Sequence, residues 1–146
     1  MACDGRGLPM VLWLTAGNVN DTTELGALMD GIRVGRVGPG RPRTRPVVLI
    51  ADKGYSSRAN RRMLSARGIK VVIPERDDQA GHRRRRGSMG GRPYQFDPDI
   101  YRGRNVVERG FNRFKHWRGL ASRYDKTAIN YLGGLTLASL LLWASS

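Results

Sequence analysis

The chain of 146 residues is poor in the side chains that build disulfide frameworks and zinc sites. It has one cysteine, Cys3, and two histidines, His82 and His116. One cysteine excludes an internal disulfide, and three such side chains are fewer than the four ligands of a structural zinc site. The first ten residues also lack a basic stretch followed by an apolar one, the pattern of a secretory signal peptide. We therefore expect neither a disulfide-rich secreted domain nor a zinc module.

Acidic residues are also few, with 12 Asp and Glu against 26 Lys and Arg, a net charge of +14 and a pI near 11.3. Residues 33–126 hold 25 of the cations and 8 of the acids, whereas residues 127–146 hold no charged side chain. All but four of the cations are arginine, whose planar guanidinium binds phosphate through paired hydrogen bonds. This excess charge predicts a polyanionic partner, with nucleic acid favoured over an acidic membrane surface.

The length fits one domain of roughly 100–200 residues, and its middle predicts a parallel βαβ unit. Residues 47–51 (VVLIA) and 69–73 (IKVVI) are β-branched runs typical of buried strands. Residues 56–67 between them predict a helix that stops at Gly68. Asp52 follows the first strand directly, at the edge where open α/β sheets bind their ligands.

Weaker patterns predict the other elements. Asp21 precedes an amphipathic run and predicts a helix N-cap, while Asp97 followed by Pro98 predicts a second helix start. The remaining predictions are a strand at 10–14, a Gly/Pro/Arg loop at 35–46, a mobile basic loop at 75–96, a helix from 97 to about 118, and an apolar helix at 126–144.

Four chemistry-bearing side chains share the predicted helix after Asp97. At about 100° per residue, Tyr101, Arg104, Glu108 and Lys115 fall within an arc of roughly 60°. A lone Glu among cations on a helix is often only a surface ion pair. A carboxylate at a strand end facing one on a helix, however, is how a Mg²⁺ site for phosphodiester chemistry is assembled, and Asp52 supplies that second carboxylate.

The spacing Tyr-x2-Arg-x3-Glu-x6-Lys resembles the signature of bacterial insertion-sequence DDE transposases of the four/five group. The segment ADKGYSSRANRRML at 51–64 is similar to the one that bears the second catalytic Asp of that family. The resemblance continues through GRPRTRP, RGIKVVIP, GGRPYQFD and RNVVERGFNRFKHWRGLASRYDK, and so covers essentially the whole chain. It implies an RNase H-like α/β fold, a mixed sheet flanked by helices.

The resemblance also implies the site. Asp52 and Glu108 would be catalytic and would ligate Mg²⁺ or Mn²⁺, while Tyr101, Arg104 and Lys115 would contact DNA near the scissile phosphate. The family's first catalytic Asp lies on a first strand to which nothing in this sequence corresponds. We therefore expect the C-terminal part of a catalytic domain, from a truncated or interrupted gene, with weak metal binding and little or no cleavage activity.

Further arginines extend the predicted DNA surface. Arg41 and Arg43 lie in the 35–46 loop, and Arg83, Arg84, Arg85 and Arg86 form a run that we interpret as a sequence-independent phosphate clamp. The expected partner is double-stranded DNA at element ends, in the cytoplasm of a bacterium, with a second copy or a chain supplying the N-terminal part as further partners.

Two alternatives remain open on the sequence. A non-catalytic basic DNA-binding protein derived from a transposase would have the same charge pattern. The uncharged residues 127–146 have the length of a membrane span. Because Thr127, Asn130 and the Gly133-Gly134 pair dilute their hydropathy, we expect no membrane partner.

Overall fold

The computed structural model describes all 146 residues, which fold into short strands and helices. The strands are β1 (Ala2–Cys3), β2 (Pro9–Val11), β3 (Val48–Ile50) and β4 (Lys70–Val72). The helices are α1 (Leu25–Asp30), α2 (Arg58–Ala66), α3 (Asp77–Arg85), α4 (Pro98–Arg102), α5 (Asn105–Lys115), α6 (Arg118–Ala121) and α7 (Ala128–Ala144). The α/β class is confirmed, but the strands form two separate two-stranded sheets and not one mixed sheet.

The contacts divide the chain into two compact units, described separately below. Unit 1 comprises Met1–Val19, Ala27–Thr44 and Asn105–Ser146. Unit 2 comprises Asn20–Gly26 and Arg45–Arg104.

Unit 2 is built on the predicted βαβ motif. β3 and β4 pair in parallel, with Val48 opposite Lys70 and Ile50 opposite Val72, and α2 connects them. Ser57 caps α2 by accepting a hydrogen bond from the Asn60 amide, and Gly68 ends it with a φ of 66°. Leu64, Val72 and Ile73 are almost completely buried, so the apolar face of α2 and the strand after it form the core of this unit.

Unit 1 packs α5 and α7 near the antiparallel pair β1–β2. α5 approaches the turn before β2 closely, because a Cβ on Gly110 would lie 3.0 Å from the Gly7 carbonyl oxygen. Phe114 and Leu120 form a buried cluster with Leu135 and Ala138 of α7. The other face of α7 leaves apolar side chains exposed, and none of the helices combines the length and the hydropathy that a membrane span requires.

Three local predictions are wrong. Asn20, not Asp21, caps the first helical turn, because its side chain accepts the Thr22 amide hydrogen bond. Part of the predicted 75–96 loop is the helix α3, which has acidic residues in its first turn and basic ones in its last, an order that complements the helix dipole. The predicted helix from 97 to 118 is interrupted after Arg102 and again after Lys115.

The first of these interruptions separates the signature residues. Arg104 donates its amide hydrogen bond to the Tyr101 carbonyl three residues back, so the backbone tightens into a turn after α4. Gly103 sits in this turn, where a Cβ would lie 3.1 Å from the Ile100 carbonyl oxygen. Tyr101 and Arg104 therefore belong to unit 2, and Glu108 and Lys115 to unit 1.

Candidate functional site

Asp52 lies at the carboxyl end of the parallel strand β3, as the sequence predicts. It caps the helical turn Lys53–Tyr55, and its Oδ1 accepts a hydrogen bond of 2.9 Å from the Gly54 amide. The side chain remains 51% exposed. The strand end and the turn together hold the carboxylate in one orientation and open to solvent.

Arg104 and Tyr101 bring two predicted DNA contacts to unit 2. Arg104 Nη1 lies 3.5 Å from Asp52 Oδ2, so the guanidinium forms an ion pair with the candidate catalytic carboxylate. Tyr101 packs its ring against Phe96, with centroids 5.2 Å apart, and is half-buried. The Tyr101 ring is thus part of local packing, whereas Arg104 stands beside Asp52.

The carboxylates of Asp21 and Asp52 both lie near Tyr55. Burial raises the pKa of the Tyr55 phenol, and the charges of Asp21 and Asp52 raise it further. The Thr22 hydroxyl donates a hydrogen bond of 3.0 Å to the Gly54 carbonyl, which ties the turn containing Asp21 to the turn after Asp52. Asp21 therefore stands near this strand end, not in the capping role that the sequence predicts.

Glu108 and Lys115 lie on α5 in unit 1, and both are exposed. They are seven residues apart, or about two turns, so they share one face of this helix. Lys115 also lines a cavity of about 280 Å³ together with apolar side chains, among them Trp13 and Phe111. Within unit 1, the Glu108 carboxylate and the Lys115 ammonium therefore lie on one face of α5, about two turns apart.

The arginines that are predicted to contact phosphate differ in whether other groups of the protein bind their side chains. Arg41 and Arg43 are exposed in the 35–46 loop, where the Arg43 backbone pairs with that of Val34. Arg83 Nη2 instead lies 2.9 Å from Glu75 Oε2 in a half-buried ion pair. The hydrogen bonds from Arg83 hold the pKa of the Glu75 carboxyl below its ordinary value.

The neighbours of Arg83 are more exposed. Arg84 contacts the Ala80 carbonyl of its own helix, and Arg85 lies 2.9 Å from His82 Nδ1. Arg86 ends α3 as its C-cap. Of the predicted clamp, Arg84, Arg85 and Arg86 therefore face solvent, while Arg83 anchors the helix to Glu75.

The residue types present fit a hard divalent cation in part. Carboxylate oxygens are the ligands that Mg²⁺ prefers, and Asp52 and Glu108 both supply them. No group of three or more Asp, Glu, His or Cys side chains in the chain is arranged to hold a metal ion. The carboxylate oxygens are suitable ligands for such a cation, but no three side chains of these types come together to bind it.

Arg61 is the structural residue that sequence reasoning missed. Its side chain is only 7% exposed, and its Nη2 donates a hydrogen bond of 2.8 Å to the Ile73 carbonyl. Burial lowers the pKa of Arg61, and its guanidinium lies 4.1 Å from the centre of the Tyr94 ring. The only signal in the sequence is its position on the predicted buried face of α2, beside Leu64.

A basic α/β protein with an exposed carboxylate at a parallel strand end has the general features of a protein that acts on nucleic acid. Residues 1–143 match the family model described as "Transposase DDE domain". The chain belongs to this family, which confirms the family predicted from the sequence.

Two curated relatives are similar to the chain. A putative transposase for insertion sequence element IS402 from Burkholderia cepacia is 39% identical over 125 residues, which are 86% of this chain and 52% of that protein. A putative transposase for insertion sequence element IS6501 from Brucella ovis is 27% identical over 141 residues, which are 96% of this chain and 92% of that protein. The chain thus spans about half the length of the first relative. No solved structure gives a significant match.

Proposed function

We propose that this chain acts in the DNA transposition of an insertion sequence, through an RNase H-like catalytic fold. The observation that carries the proposal is the exposed Asp52 carboxylate at the end of β3, with Arg104 beside it. Family membership and the names of both relatives support the same activity. The substrate is double-stranded DNA at the ends of the element.

In this proposal Asp52 and Glu108 hold Mg²⁺, or Mn²⁺ in its place. The metal would supply activation of the attacking hydroxyl and charge stabilisation at phosphorus. Arg104 and Lys115 hold phosphates near the scissile bond, because Arg104 lies beside Asp52 and Lys115 shares a face of α5 with Glu108. Arg41, Arg43 and the exposed arginines at the end of α3 add sequence-independent contacts to the backbone.

Because no three acidic, His or Cys side chains are arranged to hold a metal ion, we expect the chain to cleave DNA very slowly or not at all. The test is cleavage of a labelled DNA end that carries the terminal repeat, with Mg²⁺ or Mn²⁺, resolved on a denaturing gel. Robust cleavage that Asp52→Ala abolishes and Asp99→Ala leaves intact would overturn this expectation. Asp99 is a suitable control because it is an exposed acid in a local pair with Arg102.

A non-catalytic DNA-binding protein is the second candidate, favoured by the absence of a three-ligand group. The double variant Asp52→Ala/Glu108→Ala separates the two candidates. If DNA binding is equal with and without Mg²⁺ and unaffected by the double variant, and no condition yields cleavage, the chain is a binding protein. If Mg²⁺ tightens DNA binding only in the wild type, the two carboxylates hold the metal.

A further inference from the structure

Two adjoining cavities in unit 2 are lined by neither Asp52 nor Arg104. The first, of about 590 Å³, is lined by residues of α2, β4 and the segment before Asp97. The second, of about 490 Å³, is lined by residues of α3, the turn after it and the same segment. Arg58 and Tyr94 line both cavities, so these two side chains mark where one cavity meets the other.

Arginines without a side-chain partner line both cavities. Arg58 and Arg62 stand one turn apart on α2 and are exposed, and Arg62 lines the first cavity. Arg86 and Arg92 line the second cavity and are also exposed. None of these four guanidinium groups is engaged by a carboxylate, whereas Arg83 and Lys70 nearby are paired with Glu75 and Asp97. The two cavities are therefore lined by four free cations, each of which is suited to bind a phosphate.

Tyr94 adds an aromatic ring to both cavities, and phosphate binding alone does not require such a ring. The Arg61 guanidinium lies 4.1 Å from the centre of its ring, and hydrogen bonds to the Ser56 and Ile73 carbonyls fix Arg61 in place. Tyr94 nevertheless remains 41% exposed. A rigidly backed and accessible aromatic ring is a platform on which a planar group can stack.

We propose that this cavity pair binds single-stranded DNA, with phosphates on Arg58, Arg62, Arg86 and Arg92 and a base stacked on Tyr94. In a duplex the faces of the bases are covered by their neighbours, so an aromatic platform is useful only for an unpaired strand. A positively charged groove combined with stacking aromatic side chains is the general solution for binding such strands. The inference rests on the proposed DNA function and deepens it: apart from Arg86, it assigns residues that the proposed catalytic site and duplex contacts do not use.

The experiment is fluorescence anisotropy of the full chain with labelled oligo(dT) and with a duplex of the same length, at several salt concentrations. Arg58→Ala/Arg62→Ala is expected to weaken oligo(dT) binding at least tenfold and to lower the salt slope by about 1.4. Tyr94→Leu is expected to weaken it by about 5- to 150-fold, while Tyr94→Phe keeps the ring and the affinity. The affinity of these variants for the duplex should fall no further than that of the control variants described next.

Matched controls separate the proposed site from general charge effects. Arg33→Ala/Arg36→Ala removes the same charge from exposed positions in unit 1, and Tyr124→Leu removes an exposed ring there. Circular dichroism checks that each variant is folded. Equal losses in the variants and the controls would overturn the inference, as would equal losses for duplex and single strand. A wild type that binds no DNA at all would contradict the proposed function itself.

Discussion

Arg61 is a charged side chain that is buried inside unit 2. It reaches from α2 to the carbonyl oxygens of Ser56 and Ile73 and donates a hydrogen bond to each. We expect Arg61→Met to lower the free energy of unfolding by about 2 kcal/mol, because hydrogen bonds to a charged group contribute about 1.5–3 kcal/mol and the acceptors lose their partner. Denaturant unfolding followed by circular dichroism measures the change.

Arg62→Met is the control for this prediction, since the neighbouring side chain is exposed and has no partner. A surface substitution of this kind usually changes stability by less than about 0.5 kcal/mol. Equal effects of the two substitutions would show that Arg61 contributes nothing beyond its helical position.

At the scale of elements, the end of α2 depends on the backbone freedom of one glycine. Gly68 has a φ of 66°, which side chains with a Cβ adopt only with strain, and an added Cβ would also lie 3.1 Å from Arg45 Nη1. We expect Gly68→Ala to destabilise the protein by about 1 kcal/mol, measured as a lower denaturation midpoint. In α6, Gly119 has open space around its Cα, so Gly119→Ala should leave the midpoint unchanged or raise it.

The helix α3 provides a second prediction at this scale, because the Arg83–Glu75 ion pair anchors it. The pKa of Glu75 is lowered from 4.5, so the carboxylate stabilises α3 fully above pH 4.5 and loses this effect as pH falls below that value. The backbone ¹³Cα shifts of residues 77–85 should therefore lose helical character on acidification. Glu75→Gln should be less helical at neutral pH and lose this part of the pH dependence, whereas Asp78→Asn should retain it.

The elements differ in how far the sequence predicts them. The βαβ unit was predictable because β-branched strands, a capped helix and Gly68 agree with one another. The helix α3 was not, because its residues are almost all polar and carry no apolar periodicity; its stability comes from Glu75 and from end charges. The position of Asp52 at a strand end could be predicted from the strand pattern. The turn between Arg104 and Glu108 could not be predicted, because the helical spacing of residues in the sequence continues through it.

At the scale of the whole molecule, the surplus of arginine sets how DNA binding responds to salt. A chain of net charge +14 that neutralises six phosphates releases their counterions, so log K should fall with log salt with a slope of about −5. Duplex affinity should then drop by about 10³ between 50 and 200 mM salt, measured by anisotropy. Arg84→Ala/Arg85→Ala should reduce the slope by about 2, because each substitution removes one of the proposed phosphate contacts. A slope near zero would mean that recognition does not depend on the basic surface, which would contradict the proposed contacts to the DNA backbone.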